Sequence, residues 1–308
     1  MQAEGTVVFT SAVETSTVDV LRAYVERALA HGQAMAEASP AEEAARFGAV
    51  LCRHRRFDLK LLLDENAVCA ALAEVLHTHP AVRATLEALL GSDAELYELA
   101  AMVSDPGARR QPVHPDTPIE RSESERPERH HATRAARGDA DMAMLHGTEG
   151  GGSDEPIELE PPYAAPDGAS PVGASPDDAS PGGADSGASC ASPPVVISAF
   201  LALQDITPQM GPTVLWAGSH TGRAHASWYD EKVGYLARTP VRVGLLRKGD
   251  LLLFDSRILH CGGANDAAEG ARRAIFYFSL KARAARKVPG GTLLGALRGS
   301  GCRSLVDL

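Results

Sequence analysis

The chain has 308 residues, 44% of them hydrophobic, and a formal net charge of −10, so it holds enough apolar material for a substantial core. Its acidic balance and the shortness of its arginine runs exclude nucleic-acid binding through a basic surface. Five cysteines, Cys52, Cys69, Cys190, Cys261 and Cys302, are odd in number, scattered and free of C-x-x-C spacing, which excludes a disulfide framework and a zinc ribbon and points to a reducing compartment.

The N-terminus has no basic start followed by an apolar core, and no run reaches the roughly 18 apolar residues of a membrane span. The last residues, Ser304, Leu305, Val306, Asp307 and Leu308, do not form a Ser-Lys-Leu peroxisomal address. The expectation is a cytoplasmic protein with no membrane span and a small-molecule substrate. No protein partner is legible.

From about 17 to 103 the apolar residues recur at helical spacing, as in Val18, Leu21, Val25 and Leu29, then Leu72, Val75 and Leu76, then Leu86, Leu89 and Leu90. Breaks fall at Ser39 and Pro40, at His79 and Pro80, and at Gly91 to Asp93. Residues 1–103 are therefore expected to form a helical layer. Residues 104–121 follow as one strand carrying a motif discussed below.

Residues 122–194 differ in kind. They are rich in Pro, Gly, Ser, Ala and acidic residues, with a repeated Ala-Ser-Pro phrase after Gly168, Gly173 and Asp178. Such a stretch cannot bury enough apolar surface to offset the entropy of ordering it, so a disordered insertion is expected. Compact apolar runs resume over 195–203, 213–216, 241–246, 251–254 and 274–280. Their Val, Ile and Phe content and their bounding turns favour strands. Residues 195–285 thus read as the rest of an antiparallel β-domain, and 286–308 as a C-terminal tail.

The chemistry-bearing residues lie at the borders of these segments. His114 and Asp116, two apart on a strand, would face a common centre. His260 ends the run that starts at Leu251 and would add a second imidazole from a distant strand. Two histidines and one carboxylate are the donor set that suits iron(II) and leave positions open for co-substrate and O2. Beyond the turn at Gly262 and Gly263 stand Arg272 and Arg273, either of which offers a planar guanidinium for a carboxylate such as that of 2-oxoglutarate. They face opposite ways on a strand, and spacing does not choose between them. His77 and His79 fit a helix end, His130 and His131 fall in the low-complexity stretch, and Cys261 reads as packing.

Three blocks in order resemble the phytanoyl-CoA dioxygenase family of iron(II)- and 2-oxoglutarate-dependent oxygenases. They are Gln111 to Thr117; Ala202 to Asp205 with Met210 to Thr213 and Gly218 to His220; and Gly249 and Asp250 through His260 and Asn265 to Arg272. The likeness covers roughly 104–117 and 195–280. It departs where Trp216 and Ala217, not Pro, precede Gly218, and in the insertion after Asp116.

The resemblance implies an α+β, mainly β fold: a double-stranded β-helix (jelly roll, cupin-like) with an N-terminal helical layer. It implies iron on His114, Asp116 and His260, the 2-oxoglutarate carboxylate on Arg272, O2 as oxidant and ascorbate as a supporting reductant. Related halogenases replace the carboxylate ligand with a small residue, so Asp116 favours hydroxylation. The expected activity is oxidation of a small organic or lipid-like substrate with release of succinate and CO2. The alternative is a catalytically silent jelly-roll binding protein that uses its insertion.

Overall fold

The structure is a computed structural model, and it describes residues 1–48, 55–63, 65–119, 195–285 and 304–305. The low-complexity stretch 122–194 and most of the tail lie outside them.

The chain opens with strand β1 (Thr6–Phe9) and the long helix α1 (Thr15–Ala38). In α1 the buried residues Val18, Leu21, Val25, Leu29 and Gly32 are spaced by three or four and form one apolar stripe. Helix α2 (Pro40–Arg46) starts where Pro40 occupies the first turn and the Ser39 hydroxyl accepts from the Ala41 N–H (3.2 Å). Then come β2 (Arg56–Lys60), α3 (Asn66–Ala73) with a π turn over Glu74–Thr78, α4 (Pro80–Leu90) and β3 (Glu95–Ser104). Gly91 ends α4 at φ 89°, a conformation that glycine adopts without strain.

After the low-complexity stretch the order is β4 (Val196–Ala202), β5 (Thr213–Trp216), α5 (Gly222–Asp230), α6 (Lys232–Arg238), β6 (Val241–Val243), β7 (Leu251–Asp255), β8 (His260–Gly262) and β9 (Arg273–Lys281). The strands form a six-stranded sheet in the order β1-β7-β4-β9-β3-β2 and a three-stranded sheet in the order β6-β5-β8, with antiparallel pairing throughout.

The larger sheet is covered on both faces. On one, Leu99, Ala101, Val103, Leu201, Leu253, Phe276 and Phe278 pack with the stripes of α1, α3 and α4. On the other, Ala100, Ala202, Leu252, Phe254, Ile275 and Tyr277 meet Leu215, Ile258 and Leu246 from the smaller sheet and its connections. Double coverage explains why β7 and β9 read as unbroken apolar runs: both faces of each strand are dry. Trp216, Leu259 and Cys261 pack the outer face of the smaller sheet with Ala224, Trp228 and Tyr235 of α5 and α6. This is the double-stranded β-helix with its helical layer.

Two expectations need correction. Residues 1–103 contribute helices, as their periodicity indicated, but also β1, β2 and β3. In β2, Arg56 and Asp58 alternate with the apolar Phe57 and Leu59 at strand period. Residues 105–119 make no regular strand: His114 forms an isolated bridge to His260, and Pro112 and Pro115, lacking N–H groups, interrupt any ladder. At the tail, the Leu305 N–H donates to the carbonyl of Ala94 (2.7 Å) and its side chain is buried in the core. Among the described residues no helix is long and apolar enough to cross a membrane.

Candidate metal centre

The irregular segment 111–119 is fastened along β8 and the turn before it. Gln111 exchanges hydrogen bonds with Gly262, through its own N–H to the glycine carbonyl (2.9 Å) and its Oε1 from the glycine N–H (2.8 Å). His114 and His260 exchange backbone hydrogen bonds of 3.0 and 2.9 Å, and the Thr117 N–H donates to the carbonyl of Ser256 (3.0 Å). From Gln111 to His114 is a step of three residues while from Gly262 to His260 is a step of two, so the segment carries one extra residue between these two pairings. Beyond it, the Ile119 N–H donates to Nδ1 of the buried His225 (3.2 Å).

These contacts bring His114, Asp116 and His260 together. One ligand atom from each lies within 4.8 Å of the others. Asp116 Oδ1 stands 3.7 Å from His114 Nε2 and 3.5 Å from His260 Nε2, and the two imidazole rings are 4.6 Å apart between centroids. Donors bound in adjacent octahedral positions at about 2.1 Å would be about 3 Å apart, so small rotations of these side chains suffice to reach one ion.

The tautomers suit the task. His114 Nδ1 lies 2.8 Å from the carbonyl of Pro112, and His260 Nδ1 lies 3.0 Å from that of Ile258. A carbonyl only accepts, so each Nδ1 carries a proton, and in the neutral ring the lone pair falls on Nε2, the nitrogen turned toward Asp116. Burial, with His260 beside it, pushes the His114 pKa below that of a free histidine and favours the neutral form a metal requires. His260 is 5% exposed, and the ring of Phe254 packs on it at 5.2 Å. The side chains of His114 and Asp116 are 34% and 38% exposed, which leaves the approach on their side.

The neighbouring turn braces the ligand strand. Ser219 Oγ accepts from the Leu259 N–H (2.8 Å), and Gly218 adopts φ 76°. Gly218 to His220 are thus structural. Cys261 is buried with its thiol pKa raised by burial, and Arg110 Nε donates to its Sγ (3.4 Å), so it stays a packed thiol.

Arg272 is not brought to this centre. It precedes β9, its side chain is 40% exposed, and its Nε and Nη2 donate to the two carboxylate oxygens of Asp105 (2.5 and 2.9 Å). Arg273 instead is 1% exposed. It stands in register with Ser104, on the face of β9 that carries Ile275 and Tyr277 into the space between the sheets.

The sequence reading also passed over Arg56, Asp58, Glu98 and Tyr277, which share this inner face through the register of β2, β3 and β9. Tyr277 OH donates to Asp58 Oδ1 (2.7 Å), and Ser279 Oγ to Glu98 Oε2 (2.6 Å). Burial raises the Asp58 carboxyl to about 6 against the opposing hydrogen bond from Tyr277, and burial with the charge of Asp116 raises that of Glu98 to about 7. The signal for Arg56 and Asp58 was the strand alternation of 56–60.

Residues 181–274 match the phytanoyl-CoA dioxygenase (PhyH) family. The PhyH match contains His260 and ends just past Arg273, while His114 and Asp116 come to it through the fold. None of the curated proteins matches the chain.

Among solved structures, the α-ketoglutarate-dependent non-haem epimerase SnoN from nogalamycin biosynthesis is 15% identical with a TM-score of 0.50. The likeness covers 91% of this chain and 79% of SnoN. HygX from Streptomyces hygroscopicus, with nickel, 2-oxoglutarate and hygromycin B bound, is 12% identical with a TM-score of 0.48, over 91% of this chain and 84% of HygX. At such identities the SnoN likeness speaks for the fold. The PhyH match spans under a third of the chain, and the His-Asp-His triad beside it is a donor set that suits iron(II).

Proposed function

We propose that the protein hydroxylates a small organic or lipid-like molecule in the cytosol, with iron(II) held by His114, Asp116 and His260 and 2-oxoglutarate anchored by Arg273. The observation that carries this reading is the convergence of three ligand atoms within 4.8 Å, with both histidines held in the Nε2-ligating tautomer. When bound, iron(II) with 2-oxoglutarate supplies the activation of O2 that drives C–H oxidation, with succinate and CO2 as co-products.

The chain's own residues supply placement. His114, Asp116 and His260 would hold the ion by three donors, a set that leaves positions for co-substrate and O2. Arg273 replaces Arg272 as the anchor, because a salt bridge at the surface already occupies Arg272 whereas Arg273 is dry and faces inward. Phe254, Ile275, Leu252 and Tyr277 pack around the polar groups of the space between the sheets and exclude bulk water. Glu98 lies beside this space with its carboxyl raised to about 7, first by burial.

The reading is tested by supplying 18O2 to iron-loaded protein with 2-oxoglutarate and a panel of small organic molecules. One labelled oxygen is expected in the succinate and one in a new hydroxyl of the substrate. Oxidised product lacking the label, or a substrate carbon altered without gaining oxygen, would contradict hydroxylation. In the same assay Arg273→Met should raise the KM for 2-oxoglutarate at least tenfold while Arg272→Met leaves it within about twofold; the reverse order would return the anchor to Arg272.

A further inference from the structure

Two arginines lie between the sheets without an acidic partner. Arg56 on β2 and Arg273 on β9 flank Ser104 in one cross-strand row, so both project from the same face. They are 2% and 1% exposed. Arg56 Nη2 donates to the carbonyls of Arg109 (2.9 Å) and Gly263 (2.8 Å). Arg273 Nη1 donates to the carbonyl of Gly211, and its Nη2 to Ser104 Oγ (3.3 Å). All four acceptors are neutral, and among the described residues neither guanidinium meets a carboxylate.

Each also leaves a buried donor unused: among the described residues Arg56 Nη1 and Arg273 Nε have no hydrogen-bond partner. An unsatisfied buried donor loses its hydration without replacement, and the cost is greater when the group is charged. Burial lowers the two pKa values to about 10 and about 9, and for Arg273 the nearby charge of Arg56 adds to the effect. Both remain cationic at neutral pH. Two adjacent buried cations with spare donors destabilise the fold unless an anion joins them.

The location of the pair narrows the anion. A Cβ added at Gly262 would run into Arg56 Nη1 and Gln111 Oε1, so the guanidinium lies directly against β8, two residues from the ligand His260. The absence of a side chain at Gly262 is what admits it.

We propose that Arg56, on a strand outside the PhyH match, is a second guanidinium for the distal carboxylate of 2-oxoglutarate, forming with Arg273 a two-arginine cradle. This rests on the function proposed above. A carboxylate offers about four lone-pair directions, enough for donors from both sides. Arg56 thereby becomes a specificity residue: it favours a dicarboxylate over a keto acid with no second charge.

The test titrates 2-oxoglutarate and pyruvate into the full chain loaded with manganese(II) in the absence of O2, followed by calorimetry. Pyruvate has the same keto-acid end and lacks the distal carboxylate, so the ratio of the two affinities isolates the cradle. Wild type should prefer 2-oxoglutarate about 100-fold or more. Arg56→Met should cut that preference at least tenfold, and Arg56→Lys, which keeps the charge and loses the fork, should cut it less. Gly262→Ala, which displaces the guanidinium without removing it, should also reduce it. An unchanged ratio in Arg56→Met overturns the assignment of Arg56, as does an unchanged ratio in both Arg56→Lys and Gly262→Ala where the methionine variant does not fold. A wild type that binds both keto acids equally overturns the co-substrate reading itself, a different result from a preference that persists in the variants.

Discussion

A hydrogen bond that holds the proton on one nitrogen of a histidine turns the other toward a metal. In this protein the carbonyls of Pro112 and Ile258 accept that bond, each two residues before its histidine. The short local reach means that the backbone carrying each ligand also sets its tautomer. Removing the carboxylate of the set should be the most damaging single change: Asp116→Ala is expected to lower iron(II) affinity at least 100-fold, measured by metal titration, while leaving the folded circular-dichroism spectrum intact.

Asp58 allows a test of burial that needs no metal. Its folded-state pKa of about 6 lies above the ordinary value of 3.8. The folded state therefore holds the proton more tightly, and the penalty appears as pH rises through about 4 to 6. Asp58→Asn removes the titration. In metal-free protein the stability of the variant relative to wild type should rise between pH 4 and pH 8 by on the order of 3 kcal/mol, the value of a two-unit shift. Urea unfolding at the two pH values measures it, and a pH-independent difference would show that Asp58 is not held in a dry site.

At the scale of elements, the pleat decides what spacing could not. Arg272 and Arg273 are adjacent, and a one-residue change of register exchanges which of them is buried. Motif position favoured Arg272, but the pairing of Arg273 with Ser104 turns Arg272 toward Asp105 at the surface. The apolar runs of β4, β5, β7 and β9 were legible because both faces of the central strands are covered. β1, β2 and β3 were not read as strands, because they lie among strongly periodic helices and their inner faces carry polar groups such as Arg56, Asp58 and Glu98 that break an apolar pattern. The helical stripe itself was plain. Leu21, fully buried on α1, should cost about 2–5 kcal/mol as Leu21→Ala, read as a lowered urea midpoint.

At the scale of the whole molecule, the fold joins a triad whose members are far apart in sequence. His114 and Asp116 were legible as a pair and His260 as a strand-end histidine, yet their convergence depends on the antiparallel bridge between His114 and His260, which no local spacing encodes. The low-complexity residues 122–194 separate them, but the ends of the described chain stay close: the Thr117 N–H donates to the carbonyl of Ser256, whose N–H donates to the carbonyl of Val196. A flexible linker of about eight residues, with a reach of roughly 26 Å, should therefore replace 122–194 and keep iron(II) affinity within about threefold of wild type. A large loss of affinity would assign those residues a part in the site.

If His114, Asp116 and His260 hold an iron that consumes 2-oxoglutarate, the loaded protein must carry out that turnover and lose it with the carboxylate ligand. The measurement that reaches it most directly is succinate released from 2-oxoglutarate by iron(II)-loaded protein in air, with Asp116→Ala as the comparison. Succinate well above background from wild type, falling to background in Asp116→Ala, is the predicted result; equal output from the two proteins would contradict it.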